Sequence, residues 1–430
     1  MQKGKEQQGT GPERRGNAVA HGPRRAVATL RTLGPGLVAG AADIDPTTVA
    51  TMAVVGATTI YALSWLAWLL LPILAIVLVI ATRVGAITGR NLQEAVKDRY
   101  GPVPQWVLLG SIVGVNVLTL AADIHAGAAA LGLLFHRESN WFLVLFGGAA
   151  LALVLWGTYD EVERVLKYVL LVLLAYPIAA VLAHPDWSRV LRDTFIPHFS
   201  MNGGYVTGAV AMLGTAITGY VYVWQTVQIA EEQPSEGLRK TRQLDAIVGT
   251  FFSVAIIWFI LIATGATLGV QHRPVDTAED AAQALAPVAG SYASSVFGVG
   301  LLGSALIAVP VLMITTGYVV GGQLDVRRGL SEPIRNAPAF YGVITASTVL
   351  AVLLSAIGIS PIRLLFLASI VAGVATPIGL TALMLVTSDR RLMGDRAVSG
   401  PLRVAGWGIT AIVTFLSLLY LAQQITGGGS

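Results

Sequence analysis

Long apolar runs alternate with short polar or Pro/Gly-rich breaks along most of the chain. They lie at residues 33–58, 61–82, 104–134, 141–157, 166–183, 204–229, 246–270, 290–320, 338–358, 361–387 and 402–424. Most reach the ~20 residues that a helix needs to cross the hydrocarbon of a bilayer, and far exceed the ~10 of a barrel strand. Backbone polar groups have no water to bond inside hydrocarbon, so each run is predicted to be a helix. The expectation is an all-α polytopic membrane protein with eleven transmembrane helices.

Two of these runs are interrupted. Span 1 reads GPGLVAGAADIDPTTVATMAVVG and sets Asp43, Asp45 and Pro46 inside an apolar segment. Proline lacks a backbone donor and clashes one turn back, so the helix is predicted to break there and to free carbonyls beside a carboxylate. A carboxylate in the membrane costs about 2.5–3.5 kcal/mol and usually faces a cavity, a partner or a substrate. The plainer reading is a kink whose aspartates cap the second half-helix. Span 6, GYVTGAVAMLGTAITGYVYVWQTVQIAEE, is weakened at Gly214, Thr215, Thr218 and Gly219. Glycines in a membrane helix are commonly packing contacts. Two interrupted segments five spans apart, however, are the pattern of inverted-repeat transporters, whose substrates bind at the midplane between unwound helices.

Span 3, VLLGSIVGVNVLTLAADIHAGAAALGLLF, carries Asn116, Asp123 and His125. Residues two apart do not share a helical face, so at most one of Asp123 and His125 points at a central cavity. The acidic pair Glu231 and Glu232 after span 6 reads as a solvated face, with an inner gate as the alternative.

Composition sharpens this picture. Only 12% of the 430 residues are charged against 54% hydrophobic, where a soluble domain carries about 25% charged. A water-soluble enzyme is excluded. With Cys 0 there is no disulfide, no thiolate metal site and no cysteine nucleophile. The sequence also lacks Walker A, H-E-x-x-H and G-x-S-x-G motifs, which removes ATP hydrolysis, zinc proteolysis and α/β-hydrolase chemistry. Placing the basic first thirty residues in the cytoplasm leaves Arg137, Arg189, Arg192, Arg273 and Arg363 as the only cations outside, so 23 of the 28 Lys and Arg fall inside. That asymmetry sets the N-terminus in the cytoplasm and the C-terminus outside, in the plasma or inner membrane.

Beyond these features the chain resembles the NRAMP family of proton-coupled divalent-metal transporters, and most of all its divergent, magnesium-transporter-like branch. The stretches that carry the resemblance are GPGLVAGAADIDPTTVAT, LGTAITGYVYVWQTVQIAEE, AEDAAQALAPVAG, IAVPVLMITTGYVVG and LMLVTSDRRLMG, in order from about residue 33 to 424. The resemblance implies a LeuT-like five-plus-five inverted repeat with one added helix and spans 1 and 6 broken. The corresponding division is a disordered basic tail at 1–32, a first repeat at 33–183, an extracellular loop at 184–203, a second repeat at 204–387 and an eleventh span with the C-terminus at 388–430.

The family's first broken helix carries Asp-Pro-Gly-Asn, whose Asp and Asn bind the ion with a backbone carbonyl three residues before the Asp. Here the motif is Asp45-Pro46-Thr47-Thr48, so the resemblance implies Asp45 and Thr48 as ligands with the carbonyl of Ala42. Typical members carry Met-Pro-His in the sixth helix, where this chain aligns Thr218-Gly219-Tyr220, losing both thioether and imidazole. Thr215 falls at the second carbonyl position, Asp43, Gly219 and Tyr220 at supporting positions, and Ala375 where typical members have a tenth-helix glutamine. Asp123 falls at an acidic position associated with proton movement, with His125 beside it.

The expected function is a secondary transporter, not an enzyme, that imports a divalent cation by alternating access with weak or absent proton coupling. Oxygen-only ligation favours magnesium or manganese. No cofactor is expected, since the metal is cargo; the expected partners are that cation and the bilayer, not nucleic acid, and the chain is taken as a monomer. The alternatives are a LeuT-fold symporter of an amino acid or amine, whose ammonium would meet Asp45, and a non-transporting membrane receptor or scaffold.

Overall fold

The computed structural model describes residues 44–156, 173–232, 236–330 and 332–426. These residues are helical, with no strand among them. The helices are α1 (Pro46–Thr59), α2 (Ser64–Thr88), α3 (Leu92–Tyr100), α4 (Pro102–Phe135), α5 (Asn140–Trp156), α6 (Ala175–Leu182) and α7 (Trp187–Phe195). The second part of the chain supplies α8 (Gly203–Ala216), α9 (Gly219–Glu232), α10 (Glu236–Thr264), α11 (Ala293–Gln323), α12 (Pro338–Ser355), α13 (Pro361–Ser388) and α14 (Gly400–Ile425).

Among the described residues, 8 helical segments are long and apolar enough to cross a membrane, and Asn140–Trp156 is a shorter apolar helix. Span 1 is described only from Ile44 and span 5 only from Leu173, so the predicted tail, Ala42, Asp43 and the start of span 5 lie outside the described residues. Exposed Val103, Trp106, Trp141, Val144, Leu145, Phe415 and Leu418 form the apolar outer surface expected against lipid. The center is helix against helix: α4 packs most extensively on α11, α8 on α13, and α10 on α1.

Helices too polar to be spans bracket the bundle at its two ends. At one end α3 begins with a capping box, Asn91 accepting from the Glu94 N–H while Glu94 accepts from the Asn91 N–H. It ties several elements together. Glu94 pairs with Arg328, Lys97 with Asp325 and Arg99 with Asp389, while Gln93 donates to Gln323 at 2.9 Å and the Leu92 N–H to Thr226 at 3.1 Å. The Arg391 backbone N–H, ahead of Arg99, holds the Asp389 carboxyl below its ordinary range. At the opposite end α7, capped by Asp186, rests on α10 through the Trp258 indole N–H to Thr194, 3.0 Å. There Arg363 pairs with Asp276, and Arg189 lies over the Tyr61 ring. Neither α3 nor α7 stands out in a search for apolar runs, and α7 gives the predicted loop at 184–203 a helical middle.

Candidate functional site

The start of α1 and the gap between α8 and α9 meet. Asp45 has extended backbone (φ −74°, ψ 167°) and caps α1, its Oδ1 accepting from the Thr48 N–H at 2.6 Å, with Pro46 at the first helical position. Proline there is preset for a helix start and loses no bond. The Tyr220 hydroxyl, from the first turn of α9, donates to Asp45 Oδ2 at 2.9 Å. Asp45 is thus the cap of a half-helix and a buried carboxylate, 1% exposed, at the junction with the second break.

The second break carries no proline. α8 ends at Ala216, Ile217 takes a non-helical conformation (φ −112°, ψ 37°), Thr218 is outside either helix and α9 starts at Gly219. The α13 hydroxyl of Thr376 donates to the Ala372 carbonyl of its own helix at 2.7 Å and lies 3.3 Å from the Ile217 carbonyl, a second acceptor for the same proton. Gly214 permits this approach: a Cβ on it would lie 2.0 Å from the Ser369 carbonyl oxygen of α13.

Hydroxyls then connect the elements around Asp45. Thr48 and Thr215 share a hydrogen bond of 2.9 Å, Thr51 and Ser369 one of 2.6 Å, and Thr47 donates to Asp123 Oδ1 of α4 at 2.8 Å. Thr218 Oγ1, Asp123 Oδ2 and His125 Nδ1 are buried without a hydrogen-bond partner in the described structure. Among the described residues no group of three or more His, Cys, Asp or Glu forms a cation cage. The oxygen donors near Asp45 are hydroxyls and carboxylates, with no sulfur or imidazole among the contacts described here.

The structure brings Asp45, Thr48, Thr215, Tyr220 and Asp123 into one bonded cluster, with Thr218 and Gly219 in the adjoining break. His125 is buried but unbonded to that cluster, as its two-residue offset from Asp123 predicts. Ala42 and Asp43 lie outside the described residues. Thr47, Thr51, Ser369 and Thr376 are members that the sequence reading missed. Their signal was present as small hydroxyl residues at helical spacing, 47 with 51 and 369 with 376, on spans that are otherwise apolar.

Two pockets are lined by residues outside the cluster. On one side Val49, Tyr176, Leu285 and Phe297 line an apolar pocket. On the α3 side, Asn91, Glu94, Glu231, Tyr318 and Arg328 line a polar cavity of about 60 Å³. Glu231 thus borders a cavity beside an ion pair, while Glu232's side chain lies outside the described residues.

The family model described as natural resistance-associated macrophage protein-like (Nramp) matches residues 36–423. The chain belongs to the Nramp family. Among curated Nramp-type relatives, a divalent metal cation transporter MntH of Caldanaerobacter subterraneus subsp. tengcongensis is 27% identical over 408 residues, covering 92% of this chain and 94% of the relative. The MntH of Deinococcus radiodurans is 27% identical over 421 residues, covering 95% and 93%. A crystal structure of a manganese transporter of Eremococcus coleocola superimposes with a TM-score of 0.71 at 18% identity, covering 95% of this chain and 90% of that one. MhsT in complex with L-phenylalanine gives a TM-score of 0.59 at 15% identity, covering 93% and 98%. These likenesses establish the LeuT-like Nramp fold that the family resemblance implied.

Proposed function

We propose that the chain is a secondary transporter that carries a divalent metal cation across the membrane by alternating access, with the ion held where the breaks of spans 1 and 6 meet. The observation that carries this reading is Asp45. It is a buried carboxylate at a half-helix N-terminus, reached by Tyr220 from the second broken span. Unwound backbone beside a carboxylate supplies cation ligands at membrane depth, where an intact helix would keep its carbonyls bonded. Nramp membership and relatives called divalent metal cation transporters support a metal cargo and a transporter rather than an enzyme.

Asp45, Thr48 and Thr218 are the side chains assigned to the cargo, with the Ala42 and Thr215 carbonyls completing the set and Asp43, Gly219 and Tyr220 in support. An oxygen donor set suits a hard ion that retains some of its water, so magnesium or manganese is favoured over softer metals. Proton coupling is weak or absent in this reading. Tyr220 stands where typical members have a titrating histidine, and Asp123 is the lone carboxylate of its span. The bias of Lys and Arg toward the α3 end supports a cytoplasmic α3 end, with the N-terminus inside and the C-terminus outside in this reading.

Uptake into proteoliposomes tests the reading. Saturable magnesium or manganese uptake that is lost in Asp45→Ala, without metal-driven acidification, is the expected result. Saturable uptake of an amine with no metal uptake would replace the cargo by an organic solute. Metal binding without any uptake would make the chain a receptor.

A further inference from the structure

We infer that Asp123 is a direct ligand of the cargo, forming with Asp45 a two-carboxylate site that a dication neutralises. The inference rests on the metal-transport reading above and names the charge its cargo must carry. Asp123 is 0% exposed and lies on α4, across from the break of span 1. Its Oδ1 is fixed by the Thr47 hydroxyl at 2.8 Å, and Thr47 belongs to the same tetrapeptide that carries Asp45 and Thr48. One threonine therefore joins α4's carboxylate to the helix start capped by the other.

The second oxygen, Asp123 Oδ2, accepts no hydrogen bond, although it is fully buried. A buried carboxylate oxygen left without a donor is costly, and membrane interiors retain such groups where a partner engages them. Among the described residues no lysine, arginine or histidine forms an ion pair with Asp45 or Asp123. A dication balances two carboxylates; an ammonium would leave one negative charge buried and unpaired. Thr218 Oγ1, also buried and without a partner, supplies a neutral oxygen from the second break. Each oxygen of Asp45 already accepts one hydrogen bond and keeps a further lone pair, so Thr48 and Tyr220 orient that carboxylate without using it up. In the same way Thr47 is a positioning residue that turns Asp123 Oδ2 away from its own bond.

Equilibrium binding of Mn²⁺, read from the free-ion electron paramagnetic resonance signal, with Mg²⁺ as competitor, tests this on the purified full-length chain at neutral and alkaline pH. Asp123→Asn keeps the shape and still accepts from Thr47, and is expected to weaken Mn²⁺ binding at least about tenfold at both pH values, since ligand charge count tunes divalent affinity on that scale. Thr47→Val is expected to weaken it about tenfold through loss of orientation, with Thr47→Ser restoring wild-type binding. Wild-type affinity in a folded Asp123→Asn variant, with only the pH dependence of uptake altered, overturns the assignment and leaves Asp123 as a proton carrier. If Asp123→Asn yields no folded protein, Thr47→Val decides: unchanged binding there overturns it equally. A wild-type chain that binds neither ion overturns the metal-transport reading itself, which is separable from an effect confined to the variants.

Discussion

The start of α1 and the gap between α8 and α9 are held by different physics. In span 1 the interruption is written locally. Pro46 cannot continue a preceding helix, and Asp45 beside it supplies the cap that lets α1 begin afresh. In span 6 no residue forbids a helix at Ile217 or Thr218. The break there is held from outside, by the close seat of Gly214 against α13, with the Thr376 hydroxyl, which donates to its own Ala372 carbonyl at 2.7 Å, also 3.3 Å from the Ile217 carbonyl. The first break contributes a charge and the second contributes mainly neutral oxygens and the Tyr220 phenol. A locally enforced break tolerates changes in its surroundings; a break enforced by packing fails when the packing does.

That contrast can be broken at several points. The largest expected effect is Asp45→Ala, which removes the carboxylate on which both breaks converge; metal uptake is expected to fall to background in a protein that still purifies folded, and retained uptake would refute the site. Gly214→Val should be next. Its Cβ would begin 2.0 Å from the Ser369 carbonyl oxygen, so α8 must move off α13 at a cost on the scale of overpacking, about 1–3 kcal/mol or more. Thermal unfolding in detergent should show that loss together with weakened metal binding, and a neutral variant would mean the α8–α13 seat does not maintain the break.

Thr376→Val isolates the hydrogen bond from the packing. The one hydroxyl proton of Thr376 lies between the Ala372 and Ile217 carbonyls, so removing it should destabilise by about 1 kcal/mol or less; an unchanged melting temperature would assign the break to Gly214 alone. Thr218→Met adds a soft donor within the second break, and uptake competition should shift toward manganese and cadmium over magnesium. An unchanged order of ions would mean that Thr218 does not face the cargo. The smallest effect is expected for Pro46→Ala. The Asp45 cap and the Tyr220 bond remain, so stability should change by less than about 1 kcal/mol with uptake preserved; loss of uptake would show that proline, rather than the cap, holds span 1 open.

Much of the fold was legible in the sequence because its causes are local. Hydrocarbon forces unbroken hydrogen-bonded helices of a minimum length. The apolar runs thus placed the long helices within a few residues, as at 104–134 against Pro102–Phe135 and 361–387 against Pro361–Ser388. What that criterion passes over are elements that are not apolar. The α3 capping box, Asn91 with Glu94, was readable as a helix start, but a search for spans treats NLQEAVKDRY as a loop.

The candidate site divides along the same line. Asp45 could be singled out from the sequence because a carboxylate beside proline in an apolar segment conflicts with its surroundings, and such a conflict is visible without coordinates. The residue types on span 6 likewise showed a weakened helix. Which atoms meet was decided only by tertiary structure: Thr47 with Asp123, Thr48 with Thr215, and Tyr220 with Asp45 are joined across 76, 167 and 175 positions of sequence. Threonine in a membrane helix ordinarily satisfies its hydroxyl on its own backbone, as Thr410 does on the Gly406 carbonyl. Its residue type therefore does not say whether it will reach across to another span. That choice is made by the crossing of α1 with α4, α8 and α9, and by glycines that let α8 and α13 approach, where hydroxyl-to-carboxylate distances fall within bonding range only after the whole bundle has packed.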